Sequence, residues 1–324
     1  MKGIALLIFL LTQSVHAEKL TPSYTELQSF NLNDDTYLYQ KPHFWDFTKN
    51  IKEGHSYLFD LSFNKESIPY WGAIALSTGI TYIYDEDILR ETQSLGRRLN
   101  IPNRDNTKTA ASIGSVAVLR VPTDLGSTLY YIGDGWTQLA IINSFLGYGL
   151  INNNYRSMQV AKQITYGLIM SSIGVQVLKR TTGRESPYVS THKRGNWRLF
   201  PNQNDYNKNV SSYDAFPSGH VTTAMMTFTV IAENYPEYKY IKPVGYTLIS
   251  LLAFQMVNNG VHWASDYPLA LGLGYVYGKT AAYFGREKTN AKYKIKPTTK
   301  KTSYYLTPIV MQNKGLGVNY IYSY

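Results

Sequence analysis

The apolar positions of this chain fall into long uncharged stretches separated by short charged or loop-forming segments. Four of them, Ser67 to Tyr84, Gly135 to Tyr155, Gln163 to Leu178 and Pro243 to Ser265, have the length of helices in a buried bundle. Each is diluted with Ser, Thr, Asn, Gln, Gly or Tyr, which makes insertion into a bilayer marginal, and periodicity alone does not separate a buried helix from a spanning one. Sharper edges occur further on. Pro217-Ser218-Gly219 ahead of Val221, Met225, Met226, Phe228 and Ile231 predicts a helix that starts there and ends before Pro236. A second run predicts a helix from His262 through Leu269, Leu271 and Leu273 to Phe284, stopped near Gly285. Between about 187 and 217, Pro, Asn, Asp and Ser predict a long loop.

The two ends read differently. Lys2, the apolar run Ile4 to Leu11 and Val15-His16-Ala17 form the pattern of a secretory signal peptide, cleaved before Glu18; the run is too short for a spanning helix of about 20 residues. Residues 18–66 are polar and aromatic without sustained period and predict a packed N-terminal arm. Residues 67–285 carry the helical domain. Residues 286–303 form a basic connector, in which Arg286, Lys288, Lys292, Lys294, Lys296, Lys300 and Lys301 stand against Glu287 alone. Residues 304–324 alternate on either side of Asn313-Lys314-Gly315 and predict a β-hairpin. The expected fold class is therefore mainly α, a helical bundle with a small C-terminal β-hairpin.

Charge and composition narrow the chemistry. The 324 residues carry a formal charge of +10, and loss of Lys2 with the signal leaves +9, which favours anionic partners such as phosphate esters or an anionic membrane surface reached by the basic tail. Nucleic acid is disfavoured behind a secretory signal. There is no cysteine, so thiolate metal sites, disulfides and cysteine nucleophiles are excluded. The expected location is the periplasm or the cell envelope, membrane-associated or not; composition says nothing of oligomeric state.

Of the six histidines, His16 leaves with the signal and His43, His55 and His192 have no informative neighbours. His262 lies four residues before Asp266; on a helix that spacing puts imidazole and carboxylate on one face, so that the carboxylate holds one ring nitrogen and the other is free as a nucleophile. A structural i,i+4 pair has the same spacing. Ser218 and the amides of Gly219 and His220, at a predicted helix start, form a site suited to an anion such as phosphate, with glycine allowing close backbone approach. An ordinary N-cap reads the same way. Lys179 and Arg184, in Lys179-Arg180-Thr181-Thr182-Gly183-Arg184-Glu185-Ser186-Pro187, suit either a helix C-terminus or a phosphoryl clamp.

Together and in this order the three fragments resemble the type 2 phosphatidic acid phosphatase and vanadium haloperoxidase superfamily, whose motifs run Lys-x6-Arg-Pro, Pro-Ser-Gly-His and Ser-Arg-x5-His-x3-Asp. The motifs span Lys179 to Asp266, and the flanking helices extend the likeness from roughly residue 60 to 285. The resemblance implies an acid phosphatase/haloperoxidase-type helical bundle and hydrolysis of a phosphomonoester, of a lipid or a small molecule, through a phosphohistidine. It makes His262 the nucleophile, Asp266 its orienting carboxylate and His220 the general acid and base. Lys179, Ser218 and Gly219 hold the phosphoryl oxygens, with Arg184 as a nearby substitute clamp, and neither metal nor cofactor is implied.

Two departures stand out. The family arginine before Pro187 is Ser186, and the family Ser-Arg is Gln255-Met256. One lost charge-assisted clamp commonly costs a few kcal/mol of transition-state stabilisation, on the order of two decades in rate. Beside the phosphatase stand two other expectations: a catalytically weakened phosphoryl-binding or envelope protein, and a vanadate-dependent haloperoxidase, which the absent arginines disfavour.

Overall fold

The computed structural model describes residues 27–32, 35–290, 303–310 and 316–323. The signal segment 1–17, the start of the arm and the connector residues 291–302 lie outside the described residues. The arm supplies β1 (Leu27–Leu32) and β2 (Asp35–Gln40), and after a 3-10 turn at Phe44–Thr48 come α1 (Ile51–Ser62), α2 (Ile68–Ile83) and α3 (Asp85–Arg98). A hairpin of β3 (Thr107–Ile113) and β4 (Val116–Pro122) leads to α4 (Leu125–Tyr131), α5 (Gly135–Ile151) and the long α6 (Tyr155–Thr182). The irregular stretch that follows holds two 3-10 turns, Pro187–Val189 and Val210–Ser212, and the short α7 (Gln203–Lys208). Then come α8 (Gly219–Asn234), α9 (Ile241–Asn258), α10 (Tyr267–Gly285), β5 (Glu287–Asn290) and the pair β6 (Ser303–Val310) and β7 (Leu316–Ser323).

The fold is mainly α, as the uncharged stretches predict. Its core is α6 packed against α8 and α10 through Val160, Ile164, Met170, Met226, Val230, Tyr277 and Ala281. A second apolar cluster joins α8, α9 and α10 through Val221, Met225, Ile249, Leu252, Met256 and Ala270. Gly274 and Gly278 let α10 lie directly on α8, because a Cβ at either position would run into the Thr222 or Met226 carbonyl oxygen. The Asn154 side chain caps α6 by accepting from Ser157 N–H, and α6 stops at Gly183, whose φ of 57° is left-handed. Among the described residues no helix is long and apolar enough to cross a membrane.

Three findings differ from the sequence reading. The helix expected from His262 starts only at Tyr267, after a 3-10 turn at Ala264–Asp266. Pro268 is the cause: in a helix running from 262 it would sit in the interior, where it lacks an N–H and collides with the preceding turn, whereas in the first turn of α10 it is tolerated. The first residues of the expected connector are not a linker, since β5 pairs antiparallel with β2 in the sheet β1-β2-β5, and Lys288 Nζ lies 2.8 Å from Asp35. The β3–β4 hairpin was not expected; its signal is Gly114-Ser115 between runs of β-branched and small residues, with Gly114 at φ 59°. The C-terminal hairpin pairs as predicted, from Ser303↔Ser323 to Val310↔Leu316.

Candidate active site

Four chain segments converge at one end of the bundle: the C-terminus of α6, the start of α8, the loop between α9 and α10, and the first residue of α3. The loop and α8 are tied together by Ser218 N–H, which donates to the Asp266 carbonyl at 3.3 Å. His262 is buried and its Nδ1 lies 3.2 Å from Asp266 Oδ2. The pair forms without a shared helix face. Instead the 3-10 turn folds Asp266 back, so that Oδ2 also accepts the Trp263 N–H at 2.8 Å. The contact occupies Nδ1 and leaves Nε2 as the ring nitrogen for chemistry.

On the facing side, Ser218 is fully buried and caps α8, its hydroxyl oxygen accepting Val221 N–H at 3.5 Å. The amides of Gly219 and His220 stand in the first turn, where helical N–H groups have no partner within the helix. Lys179 reaches the same place: its Nζ lies 3.9 Å from where a Cβ on Gly219 would stand. Lys179 also pairs with Asp214 Oδ2 at 3.3 Å, a partner that no sequence motif announced. His220 packs against the Tyr130 ring, with centroids 4.8 Å apart. Burial, and then the positive charge of His262 and Lys179, lower its pKa from 6.5 to about 3. A bound phosphoryl group, being anionic, would draw it back up.

Arg184 requires a correction. It was expected as a phosphoryl clamp, but its guanidinium is wholly buried behind Asp266, with Nη1 2.5 Å from Asp266 Oδ1 and 2.7 Å from Ser265 Oγ. Nη2 donates to Asp85 Oδ2 at 2.7 Å and to the Arg194 carbonyl at 3.0 Å. The reason is the left-handed turn at Gly183, after which Arg184 bridges to Trp197 and Asp214 and sends its side chain into the fold, under Tyr82, Trp197 and Trp263. Arg180 is elsewhere too, stacked over Tyr206 at 4.4 Å and bonded to Gln203.

The two departures also have definite places. Met256 is fully buried in the α8–α9–α10 cluster, its Sδ 4.0 Å from the Ser218 hydroxyl, so an apolar thioether borders the anion side. Ser186 is buried with its N–H bonded to the Ser211 carbonyl at 2.9 Å. Asp85 and Ser265 were missed by the sequence reading. The acidic run Asp85-Glu86-Asp87 has an ordinary explanation in the first turn of α3, and that hid the one carboxylate that turns inward.

The fold and site thus define a helical bundle in which a histidine–carboxylate pair faces a helix N-terminus, a lysine and a second histidine. Residues 161–290, from within α6 to β5, match the family model described as the PAP2 superfamily, in agreement with the motif resemblance. Helices α1 to α5 lie outside the matched segment, although the motif resemblance extended to roughly residue 60. Comparison with curated proteins and with solved structures gives no match. This match supports a phosphoester hydrolase type of function.

Proposed function

We propose that this protein is a metal-independent phosphomonoesterase that works through a phosphohistidine on His262. The observation that carries the reading is the buried His262 Nδ1–Asp266 contact at 3.2 Å, on a loop tied to the start of α8 by the Ser218 N–H bond to the Asp266 carbonyl. The Nε2 lone pair of His262 forms the bond to phosphorus as the ester P–O bond breaks, and the leaving oxygen takes a proton from His220. Water then gives a proton back to His220 and attacks phosphorus, the N–P bond breaks, and inorganic phosphate leaves. Lys179, Ser218 and the Gly219 amide offer donors for the equatorial oxygens. The same reading carries secretion by residues 1–17 to the periplasm or envelope, a lipid or small phosphate ester as substrate, and the basic tail turned to an anionic surface.

The purified protein is expected to release phosphate from a panel of soluble and lipid phosphomonoesters. His262→Ala is expected to reduce turnover to background, and turnover surviving that substitution overturns the mechanism. A second reading, a weakened phosphoryl-binding protein, is favoured by one observation: Met256 borders Ser218 where the family motif has arginine. It predicts phosphate binding without turnover. A vanadate-dependent haloperoxidase requires vanadate-dependent halide oxidation in the same preparation.

A further inference from the structure

The site contains more buried charge than the proposed reaction uses. Asp85, Arg184 and Asp266 all have side chains at 0% exposure, and they form one chain of contacts with Ser265 at its centre. Asp85 Oδ1 accepts Ser265 N–H at 3.0 Å, while Oδ2 accepts the Ser265 hydroxyl at 2.5 Å and Arg184 Nη2 at 2.7 Å. Every one of these neighbours donates, which is the pattern of an ionised carboxylate. Burial nevertheless pushes the Asp85 pKa upward against the Ser265 and Arg184 contacts. The guanidinium is boxed by the rings of Trp197, Tyr82 and Trp263 at 4.9, 5.3 and 5.4 Å, which keep water out and favour a cation.

Two carboxylates and one guanidinium leave the cluster with one negative charge too many in a dry site, where an unpaired charge is expensive. His262 is the group placed to supply the missing positive charge. When Nε2 becomes bonded to phosphorus and Nδ1 keeps its proton, the ring is cationic and the cluster is neutral. Asp85 matters because it divides the guanidinium. With Asp85 present, Arg184 satisfies Asp266 Oδ1 and fixes the carboxylate plane without cancelling its charge, so Oδ2 stays a strong acceptor for the imidazole proton. If Asp85 were neutral, Asp266 would take the whole cation and hold the imidazolium less well.

We propose that Asp85 and Arg184 are positioning residues for His262, acting through Asp266, and that Asp85 keeps Asp266 anionic enough to stabilise the phosphorylated imidazole. The role in turnover rests on the phosphohistidine reading; the coupling from Asp85 to His262 does not. The other groups around the imidazole are His220 and, through it, Lys179 from the anion side and the Tyr267 ring at 6.2 Å, and none of them touches Asp85 by a hydrogen bond or ion pair.

The test is nitrogen-15 histidine NMR on the full chain, following the Nδ1 proton and tautomer of His262, together with steady-state kinetics. In Asp85→Asn the Nδ1–H resonance is expected to move upfield while the His55 and His192 signals stay in place. With the same variant kcat should fall on the order of tenfold or more with KM little changed, as expected of an interaction made in the transition state. Ser265→Ala removes the bridging hydroxyl but neither charge; it should move the same resonance in the same direction by less, and it decides the matter if Asp85→Asn does not fold. A His262 resonance unmoved in the folded variants overturns the coupling. A moved resonance in a chain that turns over no phosphomonoester upholds the coupling and overturns the proposed hydrolysis instead.

Discussion

The two sides of His262 are provisioned in opposite ways. Behind the imidazole, Asp266 is held by buried contacts from Trp263 N–H and Arg184, and Arg184 in turn by buried Asp85 and Ser265 and by the part-buried Arg194 carbonyl. In front, where a phosphoryl group would sit, Lys179 is shared with Asp214 and the Ser218 hydroxyl faces the Met256 thioether. The back side orders the His262 imidazole through contacts within the fold. On the front side Met256 stands where the family motif has arginine, so the donors offered to an anion are Lys179 and the helix start. The contrast separates two demands that the proposed phosphohistidine chemistry makes: a nucleophile that stays oriented, and a cradle for the charge it attacks. Here the first is built into the fold and the second is thin.

The largest effect should come from breaking the back side. Arg184→Met leaves Asp85 and Asp266 facing one another in a dry site, and removal of one partner from a buried ion pair typically costs about 3–5 kcal/mol. Denaturant unfolding checks this. Adding Asp85→Asn to Arg184→Met should recover part of the loss, since one of the two stranded charges is then gone; a double variant no more stable than the single one would show that the ion cluster is not the source.

Restoring the front side should be a smaller effect and opposite in sign with ligand. Met256→Arg forces a charged, longer side chain into an apolar cluster, which should lower stability by about 1–3 kcal/mol in the empty protein. Millimolar inorganic phosphate should then raise the melting temperature of this variant more than that of the unaltered chain, because the guanidinium meets an anion beside Ser218. Equal phosphate responses in thermal melts would mean that position 256 does not border the anion site.

The smallest effect concerns acid. His220 has a folded-state pKa of about 3 against 6.5 unfolded. Between those values the unfolded chain binds a proton that the native site refuses, so this contribution to stability is complete above about pH 6.5 and is lost progressively as pH falls toward 3. His220→Gln should therefore flatten the decline in unfolding midpoint between about pH 7 and pH 5 relative to the unaltered chain. Parallel declines would place the acid sensitivity in other groups.

Much of this site was legible locally, and the residues explain why. Ser218 and Gly219 begin α8 because a small capping side chain and a proline just before it are sufficient signals, and they stay at a helix start in any fold that keeps that helix. Pro268 is a local signal too, since it forbids a helix running back to His262. The His262–Asp266 contact forms without that helix because a 3-10 turn closes the same four-residue gap. What stayed hidden was the direction of Arg184 and the identity of its partner. Met256 was recognised as a departure, yet only packing against Leu252 and Val221 shows that the position has joined the apolar core.

The sequence by itself therefore determined the helical class and the start of α8, because each depends on capping or short spacing, whereas the grouping of Lys179, Ser218, Gly219, His220, His262 and Asp266 was legible only through the family resemblance. Only the tertiary structure decided that Arg184 serves the carboxylate rather than the phosphate. Its choice depends on Asp85, 99 residues earlier in the chain and brought against Ser265 by the packing of α3. A buried guanidinium goes where carboxylates are already desolvated, and that is a property of the assembled fold, which no local pattern encodes.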